Sequence, residues 1–197
     1  MKTRMLTGSE MLLAHCLWGP ALYPTLRRMR LIGERFRHEF IPELVDHWGF
    51  QEPEPGQEPN EAATAMTLVD SEAPYCFVFC PVEAGPAVLM HEFGHAVHYE
   101  RYPESLNMTK WPRDKCEAFA LLSDVNSERW KTLDSHEHQA FAAHRLFNSV
   151  DPMYKDAYAR AYSLRNLPLK DQMDAIANDR QASSYPTAAY SLPVGRA

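Results

Sequence analysis

The sequence predicts a mainly α fold with a small β element, and three observations carry that prediction. Helical periodicity recurs along most of the chain, with start and stop residues at its ends. The best strand candidate is one short run, Tyr75-Cys76-Phe77-Val78-Phe79-Cys80, which is aromatic and β-branched. Just downstream an apolar segment is opened by Gly85-Pro86 and closed near Tyr102 by Pro103, as a buried helix would be.

Taken in order, residues 9–18 form a short apolar helix. Pro24 opens a longer helical pattern through Trp48, kinked or broken before Pro42. Its basic cluster, Arg27-Arg28-Met29-Arg30, reads as a solvated face. Residues 51–60, Gln-Glu-Pro-Glu-Pro-Gly-Gln-Glu-Pro-Asn, form an acidic proline-rich loop. That loop divides an N-terminal helical segment, 1–50, from a segment spanning 61–197, although one domain could hold all of it. Helical patterns follow near 134–148, 151–165 and 168–182, started by Asp134 or Ser135, by Asp151-Pro152 and by Pro168. His136 and His138 lie two apart and do not share a helix face, so His136, His138 and His144 read as a solvated histidine-rich surface. Tyr154, Tyr158 and Tyr162 repeat every four residues, as a packing stripe does. No internal repeat is present.

Composition narrows the class. At 197 residues, 45% hydrophobic and 23% charged, the chain suits a soluble globular domain with a real core. A net charge of −6 and the lack of a basic stripe argue against nucleic acid as a partner. The N-terminal apolar run is broken by Glu10 and His15, making a poor signal peptide and too short a membrane span. Cys16, Cys76, Cys80 and Cys116 match neither a zinc knuckle nor a redox pair, and read as free thiols in a cytoplasmic protein.

The predicted helix after the strand carries His91-Glu92-Phe93-Gly94-His95. Two histidines four apart lie one above the other on a helix face, so both can hold one Zn²⁺ ion, with Glu92 beside them as general base toward a water. This is a kit for metal-assisted hydrolysis of a peptide bond. Zinc needs a third protein ligand. Arg101 occupies the position where one extended form of the motif has a third histidine, so that class is excluded. Glu117, set among Cys116 and Ala118-Phe119-Ala120, is the next candidate, because an unpaired carboxylate there would be costly to bury. The other reading makes Glu117 a surface acid in the first turn of a helix capped near Asp114.

At these residues the chain resembles the thimet oligopeptidase and oligoendopeptidase F family of zinc metallopeptidases. His91-Glu92-Phe93-Gly94-His95-Ala96-Val97-His98 fits the family's extended motif, and Glu117 fits its downstream glutamate ligand. The resemblance implies a zincin-like helical catalytic domain and metalloendopeptidase activity on short peptides. It implies supporting, non-ligand roles for His98 and Asp124, where Asp124 replaces the family's usual glutamate. It implies that Tyr185 and Tyr190 reach over the zinc toward the tetrahedral intermediate, with Gly195 matching a glycine of the oligoendopeptidase branch. It also implies that the strand before the active-site helix pairs with extended substrate. Leu192 and Arg180 depart from the pattern, standing where a tyrosine and a histidine are usual. Family members are several times longer, so the chain reads as a short relative or a piece of one, for which self-association would cover an open half-channel. A zinc-binding scaffold without catalysis is the alternative.

Overall fold

A computed structural model describes residues 1–56, 58–70, 72–130 and 133–179. Tyr185, Tyr190, Gly195, Arg180 and Leu192 lie outside the described residues. The fold is mainly helical, with one three-stranded sheet.

Helix α1 (Gly8–Trp18) begins at a reciprocal cap: Glu10 N–H donates to Thr7 Oγ1 at 3.2 Å, and Thr7 N–H donates to Glu10 Oε2 at 2.8 Å. Leu13, Ala14, Leu17 and Trp18 form its buried stripe. Trp18 matters most. Its Nε1–H donates to the Met90 carbonyl at 2.9 Å, and its ring stacks on Phe119 at 6.1 Å. One indole thus ties α1 to both helices of the candidate site. We expect Trp18→Phe to lower stability by about 2 kcal/mol, through the lost hydrogen bond and the void left behind. Urea unfolding reads this as a lower midpoint at unchanged slope.

The helical pattern expected from Pro24 to Trp48 is broken further upstream than its prolines suggested. Helix α2 (Tyr23–Arg28) stops at Arg28, strand β1 occupies Met29–Ile32, and helix α3 (Ile41–Trp48) resumes later. Met29 and Leu31 are buried and Arg30 is not, the alternation of a strand, and β1 pairs parallel with β3 (Cys76–Phe79). A non-local ladder outweighed local helical periodicity. Nor is the basic cluster simply a solvated face. Arg27 is exposed, but Arg28 donates to the carbonyls of Ala73 and Pro74 and pairs with Glu100 at 3.1 Å. The Arg30 guanidinium lies 4.0 Å from the centre of the Tyr75 ring.

The sheet order is β1-β3-β2, with β2 (Met66–Val69) antiparallel to β3. The central β3 is buried throughout. Phe77 and Phe79 point to one side, against Ile32, Phe36, Phe40 and Leu44. Cys76, Val78 and Cys80 point to the other, into the main core. The sheet therefore joins residues from before and after the proline-rich loop.

That main core surrounds helix α4 (Pro86–Arg101), which has Pro86 in its first turn and Gly85 before it at φ 85°. Helices α5 (Arg113–Ala120) and α6 (Leu122–Ser127) follow with a break at Leu121, then α7 (Ser135–Asn148), α8 (Pro152–Ser163) and α9 (Leu169–Asn178). Asp134 and Asp151 cap α7 and α8 as the sequence suggested. Tyr154, Tyr158 and Tyr162 pack against the core. Among the described residues no helix is long and apolar enough to cross a membrane.

Candidate metal centre

Helix α4 is buried along most of its length, so His91, Glu92 and His98 face protein rather than water. His91 and His95 stand one turn apart on it. Glu92 points about 100° away from His91, toward β2. Helix α5 crosses α4 where residue 94 is glycine. A Cβ at Gly94 would lie 2.6 Å from Ala120 Cα and 2.8 Å from Trp18 Cζ2, so only glycine admits so close a crossing. One turn before that contact, α5 delivers Glu117, which is 7% exposed and in the second turn of its helix.

The three side chains converge. His91 Nε2 is 3.1 Å from Glu117 Oε2 and 3.1 Å from His95 Nε2, and His95 Nε2 is 3.5 Å from Glu117 Oε2. His91, His95 and Glu117 form the cluster whose ligand atoms suit a shared cation. A tetrahedral zinc with bonds of about 2.0–2.1 Å has ligand–ligand edges of about 3.4 Å, close to this triangle. Two imidazole nitrogens this close need a proton or a cation between them, and with the Glu117 carboxylate beside them the donor set can accommodate a metal. Burial would raise the Glu117 carboxyl, but the charge of His95 and hydrogen bonds from both histidines hold it far below the usual range. Burial pushes His95 down, yet the charge and hydrogen bond of Glu117 raise it overall.

Behind the triangle lies a hydrogen-bonded chain. His98, fully buried, places Nε2 3.1 Å from His95 Nδ1 and Nδ1 3.0 Å from Ser105 Oγ. Burial, reinforced by the charge of His95, depresses His98 well below the ordinary histidine range, so it is neutral and carries one proton. The Ser105 hydroxyl donates to the His98 carbonyl at 3.4 Å. The network therefore assigns the His98 proton to Nδ1, donating to Ser105, and leaves Nε2 to accept from His95 Nδ1–H. That bond turns the lone pair of His95 Nε2 toward the triangle.

Asp124 is fully buried and does not touch the triangle directly. Its carboxylate accepts from His144 Nδ1 at 2.9 and 3.1 Å, and the His144 ring packs edge-on against His91 at 5.3 Å. His144 is thus not part of a solvated face, whereas His136 and His138 are exposed. Its role lacked any local signal, because Asp124 and His144 meet only when α6 packs on α7. His91 Nδ1 has no hydrogen-bond partner among the described residues. We expect His144→Ala to destabilise the protein by about 3 kcal/mol, since it strands a buried carboxylate. A lowered thermal midpoint checks this.

Glu92 Oε2 accepts from Thr67 Oγ1 at 2.7 Å, and the same hydroxyl lies 3.1 Å from the Glu92 carbonyl. Thr67 sits on β2, a strand the sequence did not reveal. Strand β3, the strand candidate, is paired on both sides and has no free edge for substrate; the edge strand lining the cleft is β2, through Met66 and Thr67. Cys116 also lines the cleft, but its Sγ donates to the Trp111 carbonyl at 3.7 Å and it stands outside the cation cluster of His91, His95 and Glu117. Tyr154 and Arg113 complete the polar lining.

Comparison of the chain with protein-family models, curated proteins and solved structures finds no match. The functional reading rests on the chemistry of the site.

Proposed function

We propose that the chain is a zinc-dependent metallopeptidase that hydrolyses short peptides, a short relative of the thimet oligopeptidase and oligoendopeptidase F family with a zincin-like catalytic domain. One observation carries the reading: His91, His95 and Glu117 converge at 3.1–3.5 Å while Glu92 stands on the adjoining helix face, all four lining one cleft.

His91, His95 and Glu117 are the residues that would hold Zn²⁺, which supplies an acidified water and polarises a peptide carbonyl. Glu92 is the general base. Thr67 occupies its Oε2, so the carboxylate is held in place with Oε1 left to take the water proton. Glu92 then returns that proton to the leaving amine. His98 keeps the His95 lone pair directed, and the Asp124–His144 pair holds the ring against which His91 packs. Strand β2 offers an edge along which an extended peptide backbone can lie, so main-chain hydrogen bonds would admit many sequences. Four unpaired cysteines suit a reducing compartment, and cytoplasmic residence belongs to this proposal.

The test is cleavage of a mixed set of short unstructured peptides by zinc-loaded protein, set against chelator-stripped protein. Cleavage that returns with zinc supports a zinc peptidase. Stoichiometric zinc without cleavage of any peptide would replace it with a non-catalytic zinc-binding protein.

A further inference from the structure

The cleft over the ligand triangle contains a charge that peptide hydrolysis by itself does not call for. Among the described residues lining it, Glu92 and Glu117 are the acids, and Arg113 is the only lysine or arginine. Two carboxylates balance a divalent cation, so Arg113 leaves the loaded cleft with a surplus positive charge. A substrate that brings a negative group of its own would neutralise it.

Arg113 is placed to receive such a group. It opens α5, with its side chain 66% exposed and Nε 3.7 Å from Glu117 Oε1. Among the described residues this is its only ion pair. A guanidinium has five N–H donors in a planar fork that matches a carboxylate bidentately. Tyr154, from α8, interacts with Arg113 and lines the same cleft. Its phenol O–H can donate to the same group. Because Arg113 touches the outer oxygen of Glu117, an anion on it lies close to the triangle. At about 3.3–3.6 Å per extended residue, that distance spans only one or two residues of substrate.

The anion every unmodified peptide carries at that distance from a bond near its end is its terminal carboxylate. We infer that Arg113, with Tyr154 beside it, forms the subsite for the substrate's C-terminal carboxylate, directing the chain to cut one or two residues from the C-terminal end of short peptides. This rests on the peptidase reading above and adds the end of the substrate that is read.

The test uses the zinc-loaded full chain carrying Glu92→Gln, which holds peptide without turning it over. Calorimetry compares an N-acetylated tripeptide acid with the same tripeptide as its C-terminal amide. The acid is expected to bind about tenfold or more tightly, as a charge-assisted fork predicts. Adding Arg113→Gln should bring the two affinities together, and Arg113→Lys should restore part of the difference, with zinc content checked in each. Equal affinity for acid and amide overturns the subsite, as does an acid preference that survives Arg113→Gln. A binding preference without cleavage by zinc-loaded wild type would keep the subsite and remove the peptidase. Cleavage without any acid preference would do the reverse.

Discussion

Glu92→Gln is expected to bind zinc as the wild type does and to cleave peptides about a thousandfold more slowly, the range for removing a general base. The substitution keeps size and one hydrogen-bond acceptor, so Thr67 Oγ1, now 2.7 Å from Oε2, retains a partner. On the proposed mechanism, what disappears is the oxygen that would take a proton from water and return it to the amine. Glu92 is not among the three residues of the cation cluster, so zinc retention should not change. Glu117→Ala supplies the contrast. It removes one of the three proposed ligands and leaves His91 and His95 alone, and should lose both zinc and turnover. If zinc affinity comprises roughly 12 kcal/mol, loss of about a third of it weakens binding by about a thousandfold. Zinc stoichiometry after dialysis and initial cleavage rates, measured on both variants, separate the roles. Full zinc retention by Glu117→Ala would remove that residue from the ligand set, and full turnover by Glu92→Gln would remove the general base.

Gly94→Ala is expected to disturb the fold and the candidate site together. On helix propensity alone it would stabilise α4 by up to about 1 kcal/mol. The added Cβ, however, meets Ala120 Cα at 2.6 Å and the Ala120 carbonyl oxygen at 3.1 Å. Those are backbone atoms, which cannot swing aside as a side-chain tip can. Relief requires α5 to move away from α4, and overpacking of this kind costs about 3 kcal/mol. The clash outweighs the propensity, so net destabilisation of about 2 kcal/mol is expected. The same movement carries Glu117 away from His91 and His95, so zinc affinity should fall along with the unfolding midpoint. A variant as stable as wild type with unchanged zinc affinity would show that the crossing does not depend on glycine.

Several features were legible before the fold was known. The first helix, the strand at Cys76–Phe79 and the helix from Pro86 to Arg101 appear where periodicity and punctuation placed them, because each is bounded by local signals. The capping aspartates at 134 and 151 act through residues two or three positions on, and were legible for the same reason. Strands β1 and β2 were not. Each is four residues long and owes its hydrogen bonds to β3, far away in sequence. Met29-Arg30-Leu31-Ile32 is too short to show a period of its own, and the helical pattern around it absorbed it.

The site divides in the same way. Two histidines four apart with a glutamate between them are a local pattern, so His91, Glu92 and His95 stand out in the sequence itself. Glu117 stood out through its apolar neighbours, since a carboxylate among buried residues calls for a partner. What the sequence alone determined is therefore the donor chemistry and the helix that carries most of it. Tertiary structure decided the rest: the α4–α5 crossing at Gly94 that brings Glu117 to 3.1 Å from His91, the Thr67 hydroxyl that holds Glu92, the burial that keeps His98 neutral behind His95, and the pairing of Asp124 with His144. The reason is physical. Periodicity and capping are set by residues a turn apart, whereas an ion-pair distance or a hydrogen-bond direction is set by which distant surfaces pack together and how closely their backbones can approach.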